Sequence, residues 1–320
     1  MAASMAIVFA TFNGEKTLPR MLEALCQLDL PQGGLQQVIA VDNASSDNTP
    51  QILHSFANRL PLLLLHQPER GKNRALNLAI PYIESDLVVF TDDDIIPDQN
   101  WLTLFECCAN QQSDRDLFGG AILPYWEKTP DPWLLNAVPH GVTFGLTAPD
   151  LPEGPIYPGL IWGANMMVHK RVFDAGHRFH ENVGPSAGQY IMGSETEFNI
   201  RMVNHGYKTC FCPTARVRHI IRDFQMTEEW VIRRAYRFGR NQCYQDFAAL
   251  AGHDPPTSLG GWLNCPKWML RRAIQDTISG HWSMLKGDRS QSVTRRWDAA
   301  FYGGYIAQAQ EFKKIKVKNI

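Results

Sequence analysis

No apolar run in these 320 residues approaches the roughly 20 residues that cross a bilayer, so no membrane-spanning helix is expected. The apolar opening, Met1 to Ala10, lacks a basic leading segment and runs directly into a strand-like stretch. It is therefore not read as a secretory signal, and the chain is expected to stay in the cytoplasm. No C-x-x-C pair occurs among Cys26, Cys107, Cys108, Cys210, Cys212, Cys243 and Cys265. The spacing of Cys210, Cys212 and His219 matches no common zinc site, so buried free thiols in a reducing compartment are expected. Internal repeats and low-complexity tracts are absent too. With 44% apolar and 20% charged residues, the composition excludes disordered, collagen-like and fibrous classes.

Positive charge is scarce in the first 200 residues, which carry 11 Lys+Arg against 23 Asp+Glu. The balance reverses in residues 201–320, with 20 Lys+Arg against 9 Asp+Glu. Such a basic part suits an anionic surface, whether phospholipid headgroups or a phosphorylated substrate, or it forms a solvated face paired with the acidic half. Nothing resembles a nucleic-acid module, so no nucleic-acid partner is expected. The length allows one large α/β domain with an appendage, or two small domains.

What is present is an alternation of strand and helix signals. Strands are predicted at Ala6–Ala10, Gln37–Val41, Leu62–Leu65 and Asp86–Phe90, from short apolar runs that end in polar turns. Helices are predicted between them, one with Leu18, Met21, Leu22 and Leu25 at helical spacing and one over Lys72–Ile80. Strands joined by helices imply a parallel sheet with right-handed crossovers. In such sheets ligands bind outside the carboxyl ends of the strands. Thr11–Asn13, Asp42–Asn43 and Asp92–Asp94 each follow a strand directly, so all three clusters should gather on one edge. Residues 124–163, rich in Pro, Gly and Trp, read as long loops of an acceptor pocket or lid. Helical patterns return at Thr196–His205, Thr227–Gln245 and 266–286.

Asp92-Asp93-Asp94 is the strongest single feature. Three adjacent carboxylates repel one another and raise one another's pKa unless a cation neutralises them. Mg2+ or Mn2+ would use one or two of them and complete its sphere with diphosphate oxygens and water. A solvated acidic turn is the plainer reading of the same residues.

Six segments, in order, resemble the family-two inverting glycosyltransferases. They are Ala10-Thr11-Phe12-Asn13-Gly14-Glu15, Val41 to Thr49, Gly71-Lys72-Asn73-Arg74-Ala75-Leu76-Asn77, Phe90 to Asp94, Gly163-Ala164-Asn165-Met166-Met167 and Gly193-Ser194-Glu195-Thr196-Glu197-Phe198. The resemblance runs from about residue 5 to 240 and implies a GT-A type α/β fold. That fold is a Rossmann-like, mostly parallel sheet flanked by helices, with a helical C-terminal extension. It implies a catalytic domain over 1–225, with a nucleotide-binding half at 1–120 and an acceptor-binding half at 121–225, followed by a basic helical extension at 226–320.

The same resemblance implies roles. Thr11, Asn13, Glu15 and Asp42 would hold the nucleoside, with Asp42 accepting from a base N–H. Lys72 and Arg74 would lie near the base or diphosphate, or be surface charge at a helix start. Asp92 would face the ribose, and Asp92, Asp93 or Asp94 the metal, with His219 able to reach the metal or diphosphate. The general base falls on Glu195, where the family more often has Asp, or on Glu197; both also fit as acids of a helix first turn. Ser194 stands where a neighbouring acid is common. Gly163 would let backbone approach the donor sugar, with Trp162 stacking on a sugar ring or filling the core. Arg233, Arg234, Arg237 and Arg240 would form either a flap over the leaving diphosphate or a solvated helix face.

The implied partners are a nucleotide-sugar donor, by expectation a UDP-sugar, and a saccharide or lipid-linked acceptor. The basic C-terminal region, with Trp262, Trp268, Trp282 and Trp297, permits peripheral contact with the inner membrane face. Competing readings are a non-catalytic nucleotide-sugar scaffold and a hydrolase with a carboxylate pair. A sugar-phosphate nucleotidyltransferase is a third, though Thr11 to Lys16 is too poor in glycine for its phosphate loop.

Overall fold

The computed structural model describes residues 2–186, 191–251 and 265–318. The strands are β1 (Met5–Thr11), β2 (Leu35–Asp42), β3 (Leu62–His66), β4 (Leu87–Asp92), β5 (Ile95–Pro97), β6 (Leu117–Trp126), β7 (Asn165–His169) and β8 (Thr209–Ile221). The helices are α1 (Leu18–Leu25), α2 (Thr49–Ser55), α3 (Lys72–Ala79), α4 (Trp101–Gln111), α5 (Pro132–Ala137), α6 (His140–Phe144), α7 (Lys170–Asp174), α8 (Ser194–Asn204), α9 (Glu228–Ala251), α10 (Lys267–Leu285) and α11 (Arg289–Lys318). The stretch read as loops thus contains α5 and α6, and Trp262 lies outside the described residues.

Met1–Tyr125 and Gly145–Ile220 form one compact unit; Trp126–Phe144 and Ile221–Ile320 form the other. The first is built on a sheet of order β3-β2-β1-β4-β7-β6-β8-β5. β3, β2, β1 and β4 run parallel, as the strand–helix alternation requires. Beyond β4 the pairings of β4 with β7, β6 with β7 and β5 with β8 are antiparallel. Met5 to Phe9 are completely buried, the pattern of a parallel strand covered on both faces. Ala6, Val8, Ile39, Val41, Val88 and Phe90 pack in one core with Ala75, Leu76, Phe198 and Met202 of α3 and α8.

The register sets the functional edge. Thr11 pairs with Asp42 and Ala10 with Asp92, so three strand ends finish level. β5 pairs with β8 through Ile95 and His219, and the Ile220 N–H donates to the Asp94 carbonyl at 2.8 Å. That ladder carries His219 to the acidic turn.

In the second unit α9 and α11 touch backbone to backbone. A Cβ on Gly239 would lie 1.9 Å from the Phe301 carbonyl, and one on Gly304 would lie 1.9 Å from that of Tyr236. Cys243, Phe247, Cys265, Tyr305 and Ala309 form its core. Arg240, expected on a flap or a solvated face, is instead buried and donates to Gln308 and Glu311.

The expectation of free thiols fails for one pair: Cys108 of α4 and Cys212 of β8 form a disulfide. The reason is register, since β8 sets Cys212 against α4 across a separation of 104 residues that spacing rules do not read. Cys26, Cys107, Cys210, Cys243 and Cys265 are free, with Cys107 exposed rather than buried. Cys210 lies within 4.8 Å of the bridged sulfurs.

Candidate functional site

The loop after β1 is stitched to the loop after β2. The Asn13 N–H donates to Ser45 Oγ at 3.0 Å, Gly14 N–H to Thr49 Oγ1 at 2.8 Å and Glu15 N–H to Asp47 at 3.1 Å. In return Asn13 Oδ1 accepts from the Ser46 N–H, and the Glu15 carboxylate from Asn48. Asn13 and Ala44 both have positive φ, 53° and 60°. Asn tolerates that region, while for Ala it costs roughly 1–2 kcal/mol. Those cross-links offset the strain and hold both loops in one shape. Asn13 and Glu15, expected as nucleoside contacts, therefore also shape the loop.

Asp42 is buried; its carboxylate accepts from the Ser45 N–H at 3.1 Å and meets His66 Nδ1 at 3.0 Å. His66 was missed because a lone histidine at a strand end carries no signal of its own. Phe12 is half exposed, with the Arg70 guanidinium 3.7 Å from its ring centre. The Thr11 hydroxyl donates to the Asp93 carboxylate, and a Cβ on Gly14 would sit 2.6 Å from that carboxylate. Asp93 is thus turned toward Thr11 and the Gly14 turn.

The centre of the cluster is Lys72. Its ammonium donates to Asp92 at 2.5 Å and to Glu195 at 2.7 Å, joining the end of β4 and the first turn of α8 to the start of α3. Burial opposes its charge, but the two carboxylates outweigh burial and hold its pKa above the ordinary lysine value. Burial raises the Asp92 pKa; Lys72 works against that, and Asp94 and Glu195 reinforce it. A carboxylate cluster with one ammonium remains electron-rich, which is the setting that attracts a divalent cation. Asp94 and His219 face each other at 3.4 Å, both side chains 15% exposed. Gly145 sits beside both the His219 ring and the Trp162 indole, which is half-buried.

Glu195 and Glu197 part company. A Cβ on Gly163 would lie 2.0 Å from Glu195 Oε1, so the glycine makes room for this carboxylate. Glu197 is buried and pairs with Arg201 at 2.7 Å within α8. Ser194 is buried against Asn73, whose amide donates to the His180 and Val183 carbonyls. An acid at 194 would meet that amide's carbonyl oxygen, which explains the departure locally. Arg74 is half exposed and pairs with Glu69 and Glu181 instead of with the Asp92–Glu195 cluster.

Residues 6–173 match the family model described as Glycosyl transferase family 2. The chain belongs to glycosyl transferase family 2. Glycosyltransferase AglE of Haloferax volcanii is 23% identical over 245 residues, covering 74% of this chain and 72% of that protein. The poly(ribitol-phosphate) beta-N-acetylglucosaminyltransferase TarS of Staphylococcus aureus is 31% identical over 91 residues. That match covers 28% of this family-2 chain and only 16% of TarS. Among solved structures, the mannosyltransferase PcManGT of Pyrobaculum calidifontis, in complex with GDP-Man and Mn2+, superposes with a TM-score of 0.59. It is 18% identical, with 95% of this chain and 86% of that chain covered. The fold is thus a mixed α/β sheet with flanking helices shared with GT-A glycosyltransferases.

Proposed function

We propose that the chain moves a sugar from a nucleoside-diphosphate sugar, by preference a UDP-sugar, to an acceptor hydroxyl with inversion at the anomeric carbon. The observation that carries this reading is Lys72 joining Asp92 to Glu195 at the level ends of β1, β2 and β4. We assign the catalytic domain to residues 1–225, of which 126–144 and 221–225 belong to the helical unit, followed by the basic extension.

Asp42, Thr11 and the loop fixed by Asn13 and Glu15 receive the nucleoside, and Asp92 and Asp93 lie toward the ribose and diphosphate. Asp94, His219 and Asp92 offer two carboxylates and an imidazole, a donor set that fits Mn2+ or Mg2+. The close approach of Asp94 to His219 supports that fit. When bound, such an ion offsets charge that develops on the leaving diphosphate. Glu195 accepts the proton of the acceptor hydroxyl as that oxygen attacks the anomeric carbon. Lys72, hydrogen-bonded to it, orients the carboxylate and neutralises part of the diphosphate charge. Glu197 serves as the Arg201 partner, which supports Glu195 as the base.

The acceptor is a saccharide or a lipid-linked glycan, as in cell-envelope glycoconjugate synthesis. A TarS structure in complex with UDP-GlcNAc and the PcManGT structure with GDP-Man support the donor class. The chain works in the cytoplasm, in peripheral contact with the inner membrane face. Among the described residues no helix is long and apolar enough to cross a membrane.

The deciding experiment is a thermal-shift and nucleoside-diphosphate-release screen of nucleotide sugars with Mn2+, Mg2+ or EDTA. One donor should stabilise the fold only with metal and be slowly hydrolysed. No stabilisation by any donor under any metal condition would remove the transferase reading.

A further inference from the structure

Helix α10 is built inside out. The residues it buries are Asp276, Gly280 and Ser283. Against them α11 sets polar partners: Arg295 pairs with Asp276 at 3.1 Å, Ser292 donates to the Gly280 carbonyl at 2.8 Å, and Gln291 accepts from Ser283 at 2.9 Å. The opposite face carries Ile274 and Ile278, exposed to 53% and 54%, then Trp282 at 61% and Leu285 at 79%. Steps of four, four and three residues align these four side chains along one stripe. A helix that packs on its own unit normally does the reverse, and a contiguous apolar stripe in water marks a surface that is covered in use.

Charge selects what covers it. Asp276 is the one acid in α10, and it is buried and paired with Arg272 and Arg295. The exposed charges of the helix and its C-cap are Lys267, Arg271 and Lys286, all positive. Trp268 and Trp282 stand 14 residues apart, about 21 Å along the axis, each more than half exposed. Indoles at both ends, aliphatic side chains between them and cations alongside suit the boundary between headgroups and acyl chains of an anionic bilayer.

We infer that the outward face of α10, through Ile274, Ile278, Trp282 and Leu285 with Lys267 and Arg271, lies in the plane of an anionic membrane and docks the chain there. This rests on the membrane contact proposed above and assigns it to one helix face. It does not depend on the donor chemistry.

The test is co-sedimentation of the full chain with vesicles of phosphatidylcholine alone or with 30% phosphatidylglycerol. Nucleoside-diphosphate release is measured on the same samples without vesicles. Wild type should bind the anionic vesicles at least about tenfold more tightly than the neutral ones, and lose that preference as salt rises. Ile278→Asp with Trp282→Ala should weaken binding at least tenfold, and Lys267→Ala or Arg271→Ala about fivefold each. All four positions are exposed, so unfolding temperature and diphosphate release should match wild type. Wild type that ignores anionic vesicles overturns both the membrane contact and this assignment. Binding that survives the Ile278→Asp/Trp282→Ala change overturns α10 alone. A dimer in solution abolished by the same changes, without vesicle binding, gives the face to a second copy and overturns the inference.

Discussion

At the scale of single residues, Lys72 gathers the carboxylates of Asp92 and Glu195 into one cluster. A strand end fixes where a side chain goes, so Thr11, Asp42 and Asp92 could be placed from order alone. Lys72 could not, because its partner Glu195 lies 123 residues further on. Glu195→Gln removes proton acceptance but keeps a hydrogen-bonding side chain of the same size beside Lys72. Transfer should fall about 10²–10⁴-fold with donor affinity intact, read by single-turnover kinetics and donor titration; near-wild-type turnover would move the base elsewhere. Glu197→Gln, by contrast, should cost stability through Arg201 and spare the chemical step. Asp94→Ala leaves His219 without its carboxylate, so Mn2+-dependent donor binding should vanish in calorimetry. Unaltered affinity in Mn2+ would remove Asp94 from the metal set.

At the scale of elements, one amide ties four of them together. Asn165 at the start of β7 donates to the Ala121 and Ala215 carbonyls and accepts from the Trp101 indole at 2.8 Å. In the sequence it sits in Gly163-Ala164-Asn165 and reads as a donor-sugar loop. Its real partners come from β6, β8 and α4, which no local pattern connects. Asn165→Ala strands three buried polar groups, each costing about 1–3 kcal/mol. Denaturant unfolding should report a loss of at least about 3 kcal/mol. The Cys108–Cys212 bridge works between the same elements. Thiol reductant, or Cys108→Ser, should lower stability by about 2–5 kcal/mol, and equal midpoints with and without reductant would show that the bridge carries no stability.

At the scale of the whole molecule, the parallel half of the sheet was readable because helices join its successive strands β1 to β4. The antiparallel half was not, since β6, β7, β8 and β5 pair across long intervals with weak periodicity between them. Residues 126–144 likewise leave the sheet for the helical unit, and nothing in the composition of 124–163 marks where the chain returns. Stability against pH tests this non-local packing. Burial first, then Arg171, pushes the His169 pKa below the ordinary histidine value. The unfolded chain therefore takes up this proton at a higher pH than the folded one, so unfolding gains protons and stability falls with falling pH. The contribution is whole above about pH 6.5 and drains away below it. His169→Gln should flatten the unfolding-temperature profile between about pH 6.5 and 5; an unchanged slope would assign it to other groups.

The ladder between β5 and β8 has a consequence in time. Asp94 stands beside His219 only because Ile95 pairs with His219 and Ile220 bonds back to Asp94. A chain growing from its N-terminus possesses the acidic turn long before the histidine has been synthesised. Closing so long a loop is slow compared with forming the local strand–helix units. The loops after β1 and β2 can thus mature on a partial polypeptide, whereas the Asp94–His219 pair is born only once β8 has been laid down. Metal-dependent protection by donor would then act as a clock for completion of the sheet.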